Sequence, residues 1–145
     1  MKPSKNAIDL IKKWEGLYLE SYLCPAKVPT IGYGTIRYPD GSKVKMGEKI
    51  TMKKADELIQ WHVNKIASKI PALNVNQNQY DALVSFVYNV GIGAFLRSTL
   101  YRKCKVNPDD PTIKDEFMKW KRAGGKVSQG LINRRTDEYN LYAKI

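Results

Sequence analysis

Apolar residues near the start of the chain fall at Ala7, Leu10, Ile11 and Trp14, the i, i+3, i+4, i+7 spacing of one helical face. Lys5, Asp9, Lys12 and Lys13 lie off that stripe, so the pattern predicts an amphipathic helix over residues 4–15. Ser4 or Asn6 can cap its start and Gly16 stops it. Glu15 stands eight positions after Ala7 and continues the apolar stripe, which turns its carboxyl toward the protein. Helical spacing then disappears. Between residues 17 and 50, Pro25, Pro29, Gly32, Gly34 and Pro39 punctuate short β-favouring runs. Thr35–Tyr38 and Lys43–Lys45 flank Pro39-Asp40-Gly41-Ser42, a good hairpin connection.

Thr51 opens the next periodic stretch, a helix over about 52–70 with Ala55, Leu58, Ile59, Ile66 and Ile70 on one face and Pro71 ending it. At 1.5 Å per residue it is about 30 Å long, enough to bridge two lobes. Everything after Pro71 reads as helical. Asn76 or Asn78 caps a strongly apolar helix carrying Ala82, Leu83, Phe86, Val87 and Val90, which ends at Gly91 and belongs at a lobe centre. A short turn or helix covers 94–104, and a helix with Ile113, Phe117 and Trp120 is stopped by Gly124-Gly125. A last helix spans about 129–143 around Arg134 and Arg135. The fold class is α+β, in two lobes: the first helix (1–16) packs with a helical lobe (71–145), and a β-lobe (17–50) is joined to it by the connecting helix (51–70).

Composition narrows the function classes. At 145 residues, with 43% apolar and 10% aromatic content, the chain is one globular domain. No apolar run is long enough to span a membrane, and the basic N-terminus lacks the features of a secretory signal, so synthesis in a cytoplasm is expected. Cys24 and Cys104 are expected as free thiols. One histidine, His62, and no Cys-x-x-Cys leave little for a metal site, and no cofactor is expected. His62 is expected on the exposed flank of the long helix, Cys104 at a buried helix end, and Glu20 in solvent. A net charge of +11 predicts attraction to a polyanion: nucleic acid, an anionic membrane or a cell-wall polymer. A nucleic-acid binder is disfavoured because the cations are spread along the chain and no recognition motif appears. A membrane-disrupting protein would use the basic terminal helix as an amphipathic wedge.

The candidate chemistry starts at Glu15. A carboxyl at a helix C-terminus meets the negative end of the macrodipole, which disfavours its charged form and suits a general acid. Nine positions on stands Cys24, and six further Thr30 opens Ile31-Gly-Tyr-Gly34. Three other blocks follow in order: Gln79 to Gly91, Ala94 to Leu100, and Trp120 to Gly125 continuing through Gly130 to Arg135 and Glu138.

Taken together these blocks resemble the phage-type lysozymes, the endolysin muramidases of tailed phages and prophages, over nearly the whole chain. The resemblance implies cleavage of the β-1,4 bond between N-acetylmuramic acid and N-acetylglucosamine in peptidoglycan. It implies that Glu15 protonates the departing oxygen, that Cys24 stabilises the developing positive charge or acts on the nucleophile, and that Thr30 holds a water. Glycoside hydrolysis ordinarily uses two carboxylates, and Cys24 departs from that; both Asp and Cys occur at this position in the family. A thiol titrates near 8.5 and would be activated by Arg134, Arg135 or Lys27 nearby. Thr35 replaces a histidine found in many relatives. Tyr33, Gly34 and Asn89 are candidate sugar contacts as an aromatic face, a close-approach backbone and an amide. Arg134 and Arg135 are also candidate substrate contacts; they either neutralise Glu15 across the cleft or lie on the outside of the last helix. A monomer is the default expectation, with no nucleic-acid partner and only secondary membrane contact. It would be made in the host cytoplasm and act on the wall in the periplasm after release through a holin-type pore.

Overall fold

A computed structural model describes residues 1–145. Seven helices and four short strands follow the order α1 (Lys5–Glu15), β1 (Tyr18–Leu23), β2 (Pro29–Gly32), α2 (Met52–Lys69), α3 (Gln77–Val90), α4 (Ile92–Leu96), α5 (Thr99–Val106), α6 (Ile113–Met118), β3 (Arg122–Ala123), β4 (Lys126–Val127) and α7 (Gln129–Tyr142). A small β-lobe and a mainly helical lobe are linked by α2.

Helix starts follow the sequence closely because capping is local. The hydroxyl of Ser4 accepts from the Asn6 amide at the start of α1, and Thr51 does the same for Lys54 at the start of α2. Asn76 opens α3 with a reciprocal capping box: its side chain accepts from the Gln79 amide, and the Gln79 side chain accepts from the Asn76 amide. Ser4 also donates through its backbone amide to Asp81 of α3 at 2.9 Å, which locks α1 onto the helical lobe.

The core is built around α3, which packs against α1, α2, α4 and α7 and buries every residue from Gln79 to Val87. Phe86 is its hub. Its ring meets Phe95, Phe117 and Trp120 edge-on at centroid distances of 6.1, 5.6 and 5.5 Å. Buried positions on α2 are Ala55, Leu58, Ile59, Val63 and Ala67, which makes this helix the seam between the lobes.

Strands β1 and β2 pair antiparallel, with Tyr22 opposite Thr30 and Leu23 opposite Pro29. The hairpin expected over 35–45 is present only as one isolated bridge, Arg37 with Lys43, while Ile31 bridges Thr35 just ahead of it. Its Pro39–Ser42 turn is closed by Tyr38 and Ser42 (2.9 Å). Two expectations need correction. The stretch after Pro71 is not wholly helical: Gly124 and Gly125 take φ of +57° and +80°, the positive values of a type I′ turn, and form the β3–β4 hairpin rather than a simple helix stop. His62 is not on an exposed flank. It is half-buried beneath the β-lobe, with Nε2 3.1 Å from the Arg37 carbonyl, and burial lowers its proton affinity. Cys104 is buried and Glu20 exposed, and both cysteines are free thiols.

Candidate active site

Glu15 is the last residue of α1, and two elements converge on its carboxyl while a third braces one of them. From α7, Arg134 Nη1 donates to Oε2 at 2.5 Å. From the turn after β2, Gly34 comes so close that a Cβ built on it would lie 2.6 Å from Oε1. Its φ of +85° is a conformation that L side chains rarely adopt, so glycine satisfies both demands at once. From α3, the Tyr88 hydroxyl donates to the Tyr33 carbonyl at 2.5 Å and fixes that turn against the helical lobe. The Glu15 side chain keeps 21% of its surface exposed while Arg134 keeps only 5%.

Cys24 and Thr30 meet where β1 turns into β2. The Cys24 amide donates to the Val28 carbonyl at 3.1 Å and the Lys27 amide returns to the Cys24 carbonyl at 2.7 Å, closing a tight turn. The Cys24 thiol is held below the ordinary thiol range, chiefly by the Val28 backbone, with Ala26 and the Thr30 hydroxyl adding to the effect. Thus the turn's own polar groups, rather than Lys27, Arg134 or Arg135, activate it. Thr30 is buried at 3% exposure and donates through Oγ1 to the Val28 carbonyl at 2.8 Å, leaving its oxygen lone pairs as acceptors. Tyr22 stacks beside Tyr18 with ring centroids 4.1 Å apart. Burial raises its hydroxyl first, and Tyr18, Glu15 and Cys24 push it further.

The other candidates divide. Gly34 borders a cavity of about 300 Å³ that runs between the β-lobe and α2 past Tyr38, Trp61, His62 and Tyr88. Tyr33 does not offer an aromatic face: its ring is 8% exposed within the core, with Lys12 Nζ 5.2 Å above it. Arg134 pairs with Glu15, and it is neither on the helix exterior nor free for substrate. Arg135 is fully buried against Glu138 and over the Phe86 ring, so it is not a substrate contact either. Asn89 is exposed at the end of α3 and accepts from Arg135 Nη2 at 2.9 Å. It lines a second cleft of about 390 Å³ with Trp120, Arg122 and Leu131. With Arg134, Arg135, Glu138 and Tyr142 buried, α7 has no free basic face to act as a membrane wedge. No helix is long and apolar enough to cross a membrane.

Sequence reasoning missed Tyr22, Tyr88 and Glu138. Tyr22 lies two residues before Cys24, the spacing that places side chains on one strand face, but β1 itself carried no clear alternation. Tyr88 acts through Tyr33, which it meets across the fold, and spacing along the chain does not reveal that contact. Glu138 stands three and four positions after Arg135 and Arg134, a helical spacing that was the available signal.

The family model described as phage lysozyme matches residues 12–138. The endolysin of Bacillus phage PZA is 42% identical over 98% of this chain, which spans 55% of that relative's length. Among solved structures, the endolysin from Escherichia coli O157:H7 phage FAHEc1 superposes with a TM-score of 0.90 at 38% identity, covering 99% of this chain and 94% of that one. The muramidase domain of SpmX from Asticaccaulis excentricus gives a TM-score of 0.83 at 31% identity, covering 99% of each chain. The matched residues contain Glu15, Cys24, Thr30 and Arg134, and the fold agrees along almost its whole length: the chain belongs to the phage lysozyme family.

Proposed function

We propose that this chain is a peptidoglycan-degrading muramidase of the endolysin kind, hydrolysing the β-1,4 bond between N-acetylmuramic acid and N-acetylglucosamine to lyse a bacterial host. The observation that carries this reading is Glu15. Its carboxyl is gripped by a buried arginine on one oxygen and approached without steric obstruction on the other by Gly34, which itself borders the inter-lobe cavity.

Glu15 gives its proton to the glycosidic oxygen as the C–O bond breaks, and the leaving sugar departs as an alcohol. Positive charge develops on the remaining sugar. Cys24, whose turn favours the thiolate, supplies the facing negative charge, and Thr30 offers an acceptor for a water that adds to the anomeric carbon. The proton of that water passes to the Cys24 thiolate and from it to solvent, and Glu15 is reprotonated from solvent, so both groups return to their starting states. Arg134 steadies Glu15 in the ionised state it reaches once the proton has left, so the same contact that orients the acid also stabilises its conjugate base.

The chain's excess positive charge draws it to the carboxylates of the wall polymer, and a single polypeptide carries every group of the site. On this reading the enzyme is made in the host cytoplasm and works on the wall after release. Product analysis tests the reading: digestion of purified peptidoglycan should create new reducing ends on muramic acid, and their anomeric configuration reports whether Cys24 acts on water or on the sugar. Reducing ends on glucosamine, or none, would refute it.

A further inference from the structure

Behind Glu15 lies a buried charge cluster that the hydrolytic scheme leaves unexplained. Arg134, Arg135 and Glu138 share one side of α7, and Arg135 and Glu138 are both at 0% exposure. Glu138 Oε2 accepts from Arg134 Nε at 3.3 Å, from Arg135 Nη2 at 3.2 Å and from the Ser85 hydroxyl of α3 at 2.7 Å. Its Oε1 stands 2.7 Å from Arg135 Nε as a charge contact without hydrogen-bond alignment. Arg134 then reaches past Glu138 to Glu15, and its Nη2 donates to the Ser85 carbonyl at 3.3 Å. One carboxylate thus serves two guanidiniums, and Glu15 completes the set.

We propose that Glu138 is a positioning residue that tunes the acid: it offsets Arg135 and holds Arg134 on Glu15, so that Glu15 faces one net positive charge instead of two. This rests on Glu15 being the general acid. Ionised, the four groups sum to zero; with Glu15 protonated, a single excess positive charge remains to favour release of the proton. Without Glu138 that excess would be two, in an interior where charges are weakly screened.

The remaining groups around the cluster leave this balance intact. Tyr22 from β1 and Tyr88 from α3 sense the Glu15 charge, and burial holds both hydroxyls in the neutral form. On α1 itself, Lys12 is engaged by Asp56 and Lys13 by Asp137. Arg135 senses Glu15 as well as Glu138 and Arg134. Burial pushes the Glu138 carboxyl up while both arginines and Ser85 pull it back. Its ionised form wins, because a neutral Glu138 would leave Arg135 wholly buried without a counter-charge.

The test is the pH profile of kcat/KM on soluble peptidoglycan strands, whose alkaline limb reports the acid in the free enzyme. Glu138→Gln should move that limb down by about one pH unit, an approximately tenfold loss above it with activity kept on its acid side. Arg135→Met should move it up, and the double variant should return it near the parent position. If both single variants lose activity equally at every pH with the limb unmoved, Glu138 is only a structural strut and the proposal fails. Should Glu138→Gln not fold, the direction of the Arg135→Met shift decides by itself. Glu15→Gln in the same assay separates the two readings: full activity there would remove the acid assignment, whatever the limb does.

Discussion

Glu15 owes its place to neighbours that contribute very different things: a charge from Arg134, and from Gly34 the absence of a side chain. Replacing Gly34 by Ala puts a methyl 2.6 Å from Oε1 and imposes a strained positive φ. The expected cost is about 1–3 kcal/mol of stability, and the displaced carboxyl should lower kcat at least tenfold; thermal unfolding and wall-clearing rates check the two halves separately. At Cys24 the turn lowers the thiol's proton affinity, whereas burial raises that of Cys104. Thiolate is the reactive form, so an alkylating reagent should modify Cys24 first. Its rate should reach half-maximum at a lower pH than a free thiol's, with Cys104 unmodified until the protein unfolds; peptide mapping across pH distinguishes them. The spacing of Glu15, Cys24 and Thr30 was legible in the chain because each lies at the end or start of a local element. The partners that give these residues their chemistry were less so. Arg134 comes from 119 positions away, and residue types alone left open whether it or Arg135 would face Glu15.

At the scale of elements, the helices were read best where polar side chains announce their ends. Ser4, Thr51 and Asn76 cap the helices they were expected to cap or were candidates to cap. The Asn76–Gln79 box starts the helix on which the whole core is assembled. Asn76→Ala should therefore cost about 1 kcal/mol, measurable as a shift in the urea midpoint with no change in slope. The β-lobe was legible only as a region. Its expected hairpin forms a single bridge, while the better ladder joins β1 to β2, where Thr30, Ile31 and Gly32 are buried in succession rather than in alternation along the strand. Gly124-Gly125 shows the same limit: two glycines mark a chain reversal, but whether a helix stops or a hairpin turns depends on what pairs across them.

At the scale of the molecule, the net charge of +11 and the two-lobed shape set how the site meets a polymer. Attraction to an anionic wall is screened by salt. Raising ionic strength from about 0.01 M to about 0.15 M, which shortens the screening length from about 30 Å to about 8 Å, should slow clearing of intact walls several-fold. Hydrolysis of short neutral glycan strands should change little in the same series. The central claim, that Glu15 supplies the proton which breaks the glycosidic bond, is tested most directly by comparing Glu15→Gln with the parent on purified peptidoglycan. The substitution keeps the side chain's shape and one acceptor for Arg134. New muramic acid reducing ends should fall by at least a thousandfold while the variant still folds and sediments with the walls; release of those ends at the parent rate would contradict the account.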